Sequence, residues 1–129
     1  VVKEKSRNDG QWTEARFNSF IKSGLRSASQ RWPPKYRVIS DACVGSRINP
    51  ASGRVAKFYL CATCKGEFPL KQVEVNHINP VIPTTGFKSW DDTIERLFCE
   101  KEGLEVVCKP CHKIITKQEN TERKLNDSK

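Results

Sequence analysis

The sequence predicts a small α+β fold, and three observations lead there. Phe17, Phe20, Ile21, Leu25 and Ala28 recur at helical spacing. Val73, Val75 and His77 alternate with Glu74 and Asn76 as in a strand, and Leu104-Glu105-Val106-Val107-Cys108 reads as a second strand. Cys61/Cys64 and Cys108/Cys111 form two C-x2-C pairs, the second running directly into His112. With 129 residues, 36% hydrophobic and 29% charged, the chain is most simply one domain with a modest core that cross-links would support.

Residues 1–11 are polar and contain Asp-Gly, which predicts a frayed start. Thr13 is placed to cap the first helix, and Trp12 to pack back on its opening turns. Lys22 and Arg26 fall opposite the apolar face, with Arg16 at its edge. Trp32-Pro33-Pro34 ends this helix, because a proline disfavours helical geometry in the residue before it. Lys35, Tyr36 and Arg37 then read as a basic-aromatic connection. Residues 38–57 offer little beyond a turn signal at Asn49-Pro50-Ala51-Ser52-Gly53. Phe58-Tyr59-Leu60 is a short strand candidate leading into the turn Cys61–Gly66. After Asn79-Pro80 comes a Pro- and Thr-rich loop to residue 88. Ser89 and Asp92 resemble a capping box for a helix to Phe98, with Trp90, Ile94, Leu97 and Phe98 on one face. Pro110 suits the first turn of a last helix reaching the low 120s.

The expected organisation is a flexible start (1–12), an N-terminal helix with a basic, polyanion-contacting region (13–57), a zinc-stapled core (58–120) and a flexible tail (121–129).

Zinc takes four ligands in a tetrahedron, and C-x2-C…C-x2-C supplies four thiolates at the spacing of a structural site. Such a closed site has no position open to substrate. It would join the strand that ends in His77 to the start of the helix that carries His112. Cys43 and Cys99 lack this spacing, and Cys99 is expected in the core. Thiol pairs of this kind suit a reducing cytoplasm, and no apolar run approaches a membrane span.

Net charge is +8 and unevenly spread: residues 1–40 hold nine Lys/Arg against three Asp/Glu, whereas residues 76–112 hold four against six. A basic arm beside an acidic-to-neutral centre suits a polyanionic partner. Arg16, Lys22, Arg26, Lys35 and Arg37 are the candidate phosphate contacts. Of the two histidines, a neutral imidazole can take a proton from water, and another can help hold a divalent ion on a phosphate.

The segments CATC…VEVNHINP…GLEVVCKPCHKIIT resemble the HNH endonucleases of the ββα-metal group, in their zinc-stapled form common in bacteriophages. The similarity extends to WTEARFNSFIKSGLRSASQRWPP and GFKSWDDTIERLFCEKEGLEVVCKPCH, most of the chain. It implies a ββα-metal domain with an added N-terminal helix, cutting DNA to leave a 5′ phosphate. By the resemblance His77 is the general base, and His112 a ligand of a catalytic Mg²⁺ or Mn²⁺. Asn76 stands where the family usually has an Asp as the other ligand, and Gly103 where it has the Asn that steadies the active-site loop. The setting implied is the cytoplasm of a phage-infected bacterium, with other phage or host DNA-processing proteins as further partners. Two alternatives stay open: a non-catalytic, zinc-stabilised nucleic-acid-binding module whose HNH site is decayed or engineered inactive, with Asn76 and Gly103 as its marks, and a structural part of a phage DNA-processing assembly.

Overall fold

A computed structural model describes residues 3–127. They form four α-helices and two small antiparallel sheets, so the α+β class holds. The chain divides into two compact units, Val1–Trp32 and Pro33–Lys129.

The first unit is built on α1 (Glu14–Ser29). Thr13 caps it as expected, its hydroxyl accepting the Arg16 N–H at 3.2 Å. The segment before it is shaped rather than open chain among the described residues. Arg7 pairs with Trp12 as a β-bridge, and its guanidinium reaches both Glu14 carboxylate oxygens at 2.8 and 3.0 Å. Trp12 packs on Phe20 with ring centroids 5.3 Å apart, as its position before the cap suggested. Val1 and Val2 lie outside the described residues, as do Ser128 and Lys129 at the other end.

The second unit opens with α2 (Pro33–Ala42), where the sequence suggested a basic connection. Prolines that stop α1 also start α2, because a first-turn residue needs no N–H donor. Thus Lys35, Tyr36 and Arg37 are helical, and residues 33–57 belong to the second unit. Strands β1 (Cys43–Asn49) and β2 (Arg54–Leu60) form a hairpin over the expected turn. Its Asn49 side chain accepts the Ala51 N–H at 3.1 Å, and Gly53 takes the left-handed φ of 72°. A three-residue β3 (Glu67–Pro69) completes that sheet in the order β1-β2-β3.

A 3₁₀ turn leads into β4 (Val73–His77), which pairs antiparallel with β5 (Leu104–Cys108). Opposed residues are Val73 with Cys108, Val75 with Val106, Asn76 with Glu105 and His77 with Leu104. Between these strands runs α3 (Trp90–Leu97), whose Ser89 cap accepts the Asp92 N–H at 3.1 Å. Its buried positions are Thr93 and Leu97, while Ile94 is 40% exposed, so the inner face is turned slightly from the expected one. The last helix, α4 (Lys109–Asp127), continues past the low 120s.

Two small cores hold the β4–β5 sheet from opposite sides. Val73, Val106 and Tyr59 pack with Val38, Ile39 and Ala42 of α2. Val107, Cys61 and Cys108 pack with Cys111 and Ile115 of α4. Alternation along β5 explains this, since Val106 and Val107 project to opposite faces. No helix among the described residues is long and apolar enough to cross a membrane.

Candidate functional site

The end of β2 and the junction of β5 with α4 bring four cysteines together. The ligand sulfurs of Cys61, Cys64, Cys108 and Cys111 all lie within 4.8 Å of one another, with Cys64 and Cys108 at 3.9 Å. A tetrahedral thiolate site with metal–sulfur bonds of about 2.3 Å sets sulfurs roughly 3.8 Å apart. The four residues therefore could hold a metal ion, and the geometry is compatible with structural zinc. Among the described residues no second group of three or more His, Cys, Asp or Glu gathers in this way.

Backbone geometry builds the first half of the cluster. Lys65 N–H returns to the Cys61 carbonyl at 3.0 Å, and Cys61 N–H to the Gly66 carbonyl at 2.8 Å. The left-handed residue of this turn is Lys65, at φ 62°, not the glycine beside it. Gly66 is required for a different reason: a Cβ there would come within 2.8 Å of the Phe68 ring. Gly66→Ala is accordingly expected to destabilise the second unit by about 1–3 kcal/mol, the range for overpacking, as read by urea denaturation. A midpoint equal to the parent's would mean that Phe68 yields freely.

Burial pushes the Cys61 thiol up, but backbone N–H groups of Cys64, Cys108 and Thr63 outweigh it and bring it down to about 6. Cys111 is pushed up to about 12, first by its hydrogen bond with Cys108 and then by burial. Four crowded sulfurs cannot all ionise without a cation to share, and a bound metal supplies that cation.

His112, on the first turn of α4, meets a residue that the sequence did not single out. Its Nδ1 lies 2.8 Å from a Glu74 carboxylate oxygen, with both side chains about a third exposed or more, at 33% and 41%. Since a carboxylate only accepts, Nδ1–H is the donor in that bond, and Nε2 is the ring nitrogen turned away from Glu74. Asn76, two residues along β4 on the same face, is 7% exposed, and its amide N–H₂ donates to Glu105 at 3.1 Å. The carboxylate beside His112 is thus Glu74, whereas the expected ligand Asn76 is engaged by Glu105.

His77 points the other way. Adjacent strand residues project to opposite faces, and His77 Nε2 is 3.0 Å from the Leu97 carbonyl at the end of α3. Since a carbonyl only accepts, Nε2 carries the proton and Nδ1 is the basic nitrogen. Burial lowers the His77 pKa below its ordinary value, the Leu97 bond works against that, and the Lys35 charge adds to the lowering. The structure brings His112 to Glu74 and Asn76 to Glu105, and bonds His77 to neither pair.

Gly103 has no side chain to steady a loop, but its carbonyl accepts the N–H of Ile78, the residue after His77, at 3.0 Å. A Cβ on Gly103 would sit 3.0 Å from the Cys99 sulfur, so the position is tight for a larger residue.

The Glu74–His112 pair opens into a groove of about 720 Å³ along α4. Lys109, Lys113, Lys117 and Lys124 line it together with Asn120. Three of these lysines are four residues apart, a pattern visible in the sequence that marks one helix face. Of the residues expected to contact phosphate, Arg16 stacks over the Trp12 ring at 4.8 Å, and Lys22 and Arg26 lie on α1. Arg37 is exposed on α2. Lys35 is partly buried, which lowers its pKa, and its charge is felt by both His77 and Cys99.

No protein-family model matches this chain, and neither the curated proteins nor the solved structures gave a match.

Proposed function

We propose that the second unit is a zinc-stapled, metal-dependent DNA endonuclease of the ββα-metal type. The order β4, β5, α4 agrees with that type, and the four-cysteine cluster suits zinc. The observation that carries the reading is the bond between His77 Nε2 and the Leu97 carbonyl. It directs the basic Nδ1 away from the protein's own acceptor, as a general base for water requires. Burial favours the neutral imidazole.

In this reading His77 Nδ1 takes a proton from water as the water oxygen attacks phosphorus. The P–O3′ bond breaks with its electron pair going to O3′, which takes a proton from solvent, leaving a 5′ phosphate and a 3′ hydroxyl. The α4 lysines hold the flanking backbone phosphates. His112 and Glu74 offer an imidazole nitrogen and a carboxylate oxygen side by side, a donor pair that a hard divalent ion accepts when phosphate and water complete its coordination. Such an ion, Mg²⁺ or Mn²⁺, would neutralise charge on the scissile phosphate and the departing oxygen.

A second reading, a zinc-stapled DNA binder that does not cut, is favoured by one observation. His77 and the Glu74–His112 pair occupy opposite faces of the β4–β5 sheet. Supercoiled plasmid incubated with the protein and Mg²⁺ or Mn²⁺ separates the two. The nuclease reading expects nicked or linear product that EDTA suppresses, and a several-fold higher metal requirement for Glu74→Gln. Retarded plasmid that stays supercoiled under every metal would leave the binder.

A further inference from the structure

The loop that leaves His77 is short of regular structure, yet three side chains hold alternate carbonyls along it. Arg96 of α3 donates to Pro80 at 3.2 Å. Arg123 of α4 donates to Ile82 at 2.9 Å, and Asn126 of α4 donates to Thr84 at 3.0 Å. Pro80 and Pro83 lack N–H groups, and among the described residues the loop's own backbone pairing is the Gly86 N–H on the Pro83 carbonyl at 2.8 Å. The side chains supply the donors that the loop's carbonyls need. Arg123 and Asn126 are three residues apart, and so share a face of α4. Both bonds come from the last turns of a helix that runs to Asp127, where the sequence suggested a loose tail.

We propose that Arg123 and Asn126 are positioning residues that set the path of the chain after His77. One end of α4 carries His112, and its other end ties down the loop next to the second histidine. The Ile78–Gly103 bond fixes where that loop begins, and the α4 strap fixes its middle. Arg96 is the weaker candidate, because it is held in an ion pair with Asp92 within α3, whereas the other bond of Arg123 goes to the neutral Asn120 amide oxygen at 2.9 Å. The effect on catalysis rests on the nuclease reading; the strap itself does not.

The test is hydrogen exchange and kinetics on the full chain carrying Arg123→Ala with Asn126→Ala. Asn126→Asp serves as the milder variant, since it keeps shape and loses the donor. Exchange at Ile78 and Gly86, the loop amides bonded to backbone, is expected to rise at least tenfold while amides of β4 and β5 keep the parent rate. Plasmid cleavage is expected to lose about 10- to 100-fold in kcat with KM little changed, the size of effect that a misplaced group produces. Arg123→Lys, which retains a donor, should recover part of that loss. A phosphate-contact role for Arg123 predicts the reverse: raised KM and a salt slope reduced by about one unit. Parent-like exchange at Ile78 and Gly86 in both variants, or a loss confined to KM, overturns the proposal. If the parent protein cuts no plasmid, the nuclease reading fails and the exchange data still decide the strap.

Discussion

Cys108→Ser is expected to remove the cooperative melting of the second unit, not merely to lower an activity. Cys108 is 3% exposed at the end of β5, and Cys61 is fully buried beside it. With Val107 they form the core on which α4 rests. A metal here would link residues 61–64 to 108–111, so losing it releases the end of β2 from the junction of β5 with α4. Structural zinc contributes on the order of 10 kcal/mol to small domains, against a total stability of about 5–15 kcal/mol for a typical one. Neither small core can replace a contribution of that size. Circular dichroism during heating, with zinc content measured in parallel, gives the answer. Chelation of the parent protein should give the same curve as the variant. A zinc-free Cys108→Ser protein that melts at the parent temperature would falsify the clamp.

Much of this was legible in local sequence pattern. The caps Thr13 and Ser89, the alternation of β4 and the paired C-x2-C spacing each follow from residues a few positions apart, and each is found in the structure. The segment that escaped is 33–57. Its helix begins on two prolines, which read as a stop, and β1 is exposed over its middle five residues, so it carries no inward alternation. What the sequence could not reveal directly is the partner of His112. Glu74 meets it only because α4 packs on the β4 face that bears even-numbered residues. The alternation already implied that the side chains of Asn76 and His77 leave β4 on opposite faces, a geometry that the resemblance to a nuclease motif does not itself express. Lys109, Lys113 and Lys117 were visible at four-residue spacing, but the stronger charge excess near the start of the chain directed the reading of the sequence to Arg16, Lys22, Arg26, Lys35 and Arg37.

His77→Ala is expected to lower plasmid cleavage by about 10²- to 10⁴-fold, the range for a lost general base, while DNA affinity stays within about twofold. The histidine contributes to the chemical step through Nδ1 and carries no charge when neutral, so it adds little to ground-state binding of a polyanion. Removing positive charge from the α4 groove, as in Lys113→Ala with Lys117→Ala, should do the opposite. It should weaken binding and reduce its salt slope by up to about two units. The pH profile adds a sign. Burial first, and the Lys35 charge after it, hold the His77 pKa below 6.5, while the Leu97 carbonyl opposes them. A base is active when deprotonated, so the parent rate should climb along a limb centred below 6.5 and level off above it. The same shift means that the folded state favours the neutral ring. Its contribution to stability is present above 6.5 and is lost as pH falls through the lowered value. Lys35→Met should therefore move the kinetic limb toward higher pH, with maximal rate preserved if Lys35 acts only through its charge. Parent-rate cleavage by His77→Ala, with the protein folded and zinc-loaded, would take His77 out of the mechanism and leave the α4 face as the whole of the site.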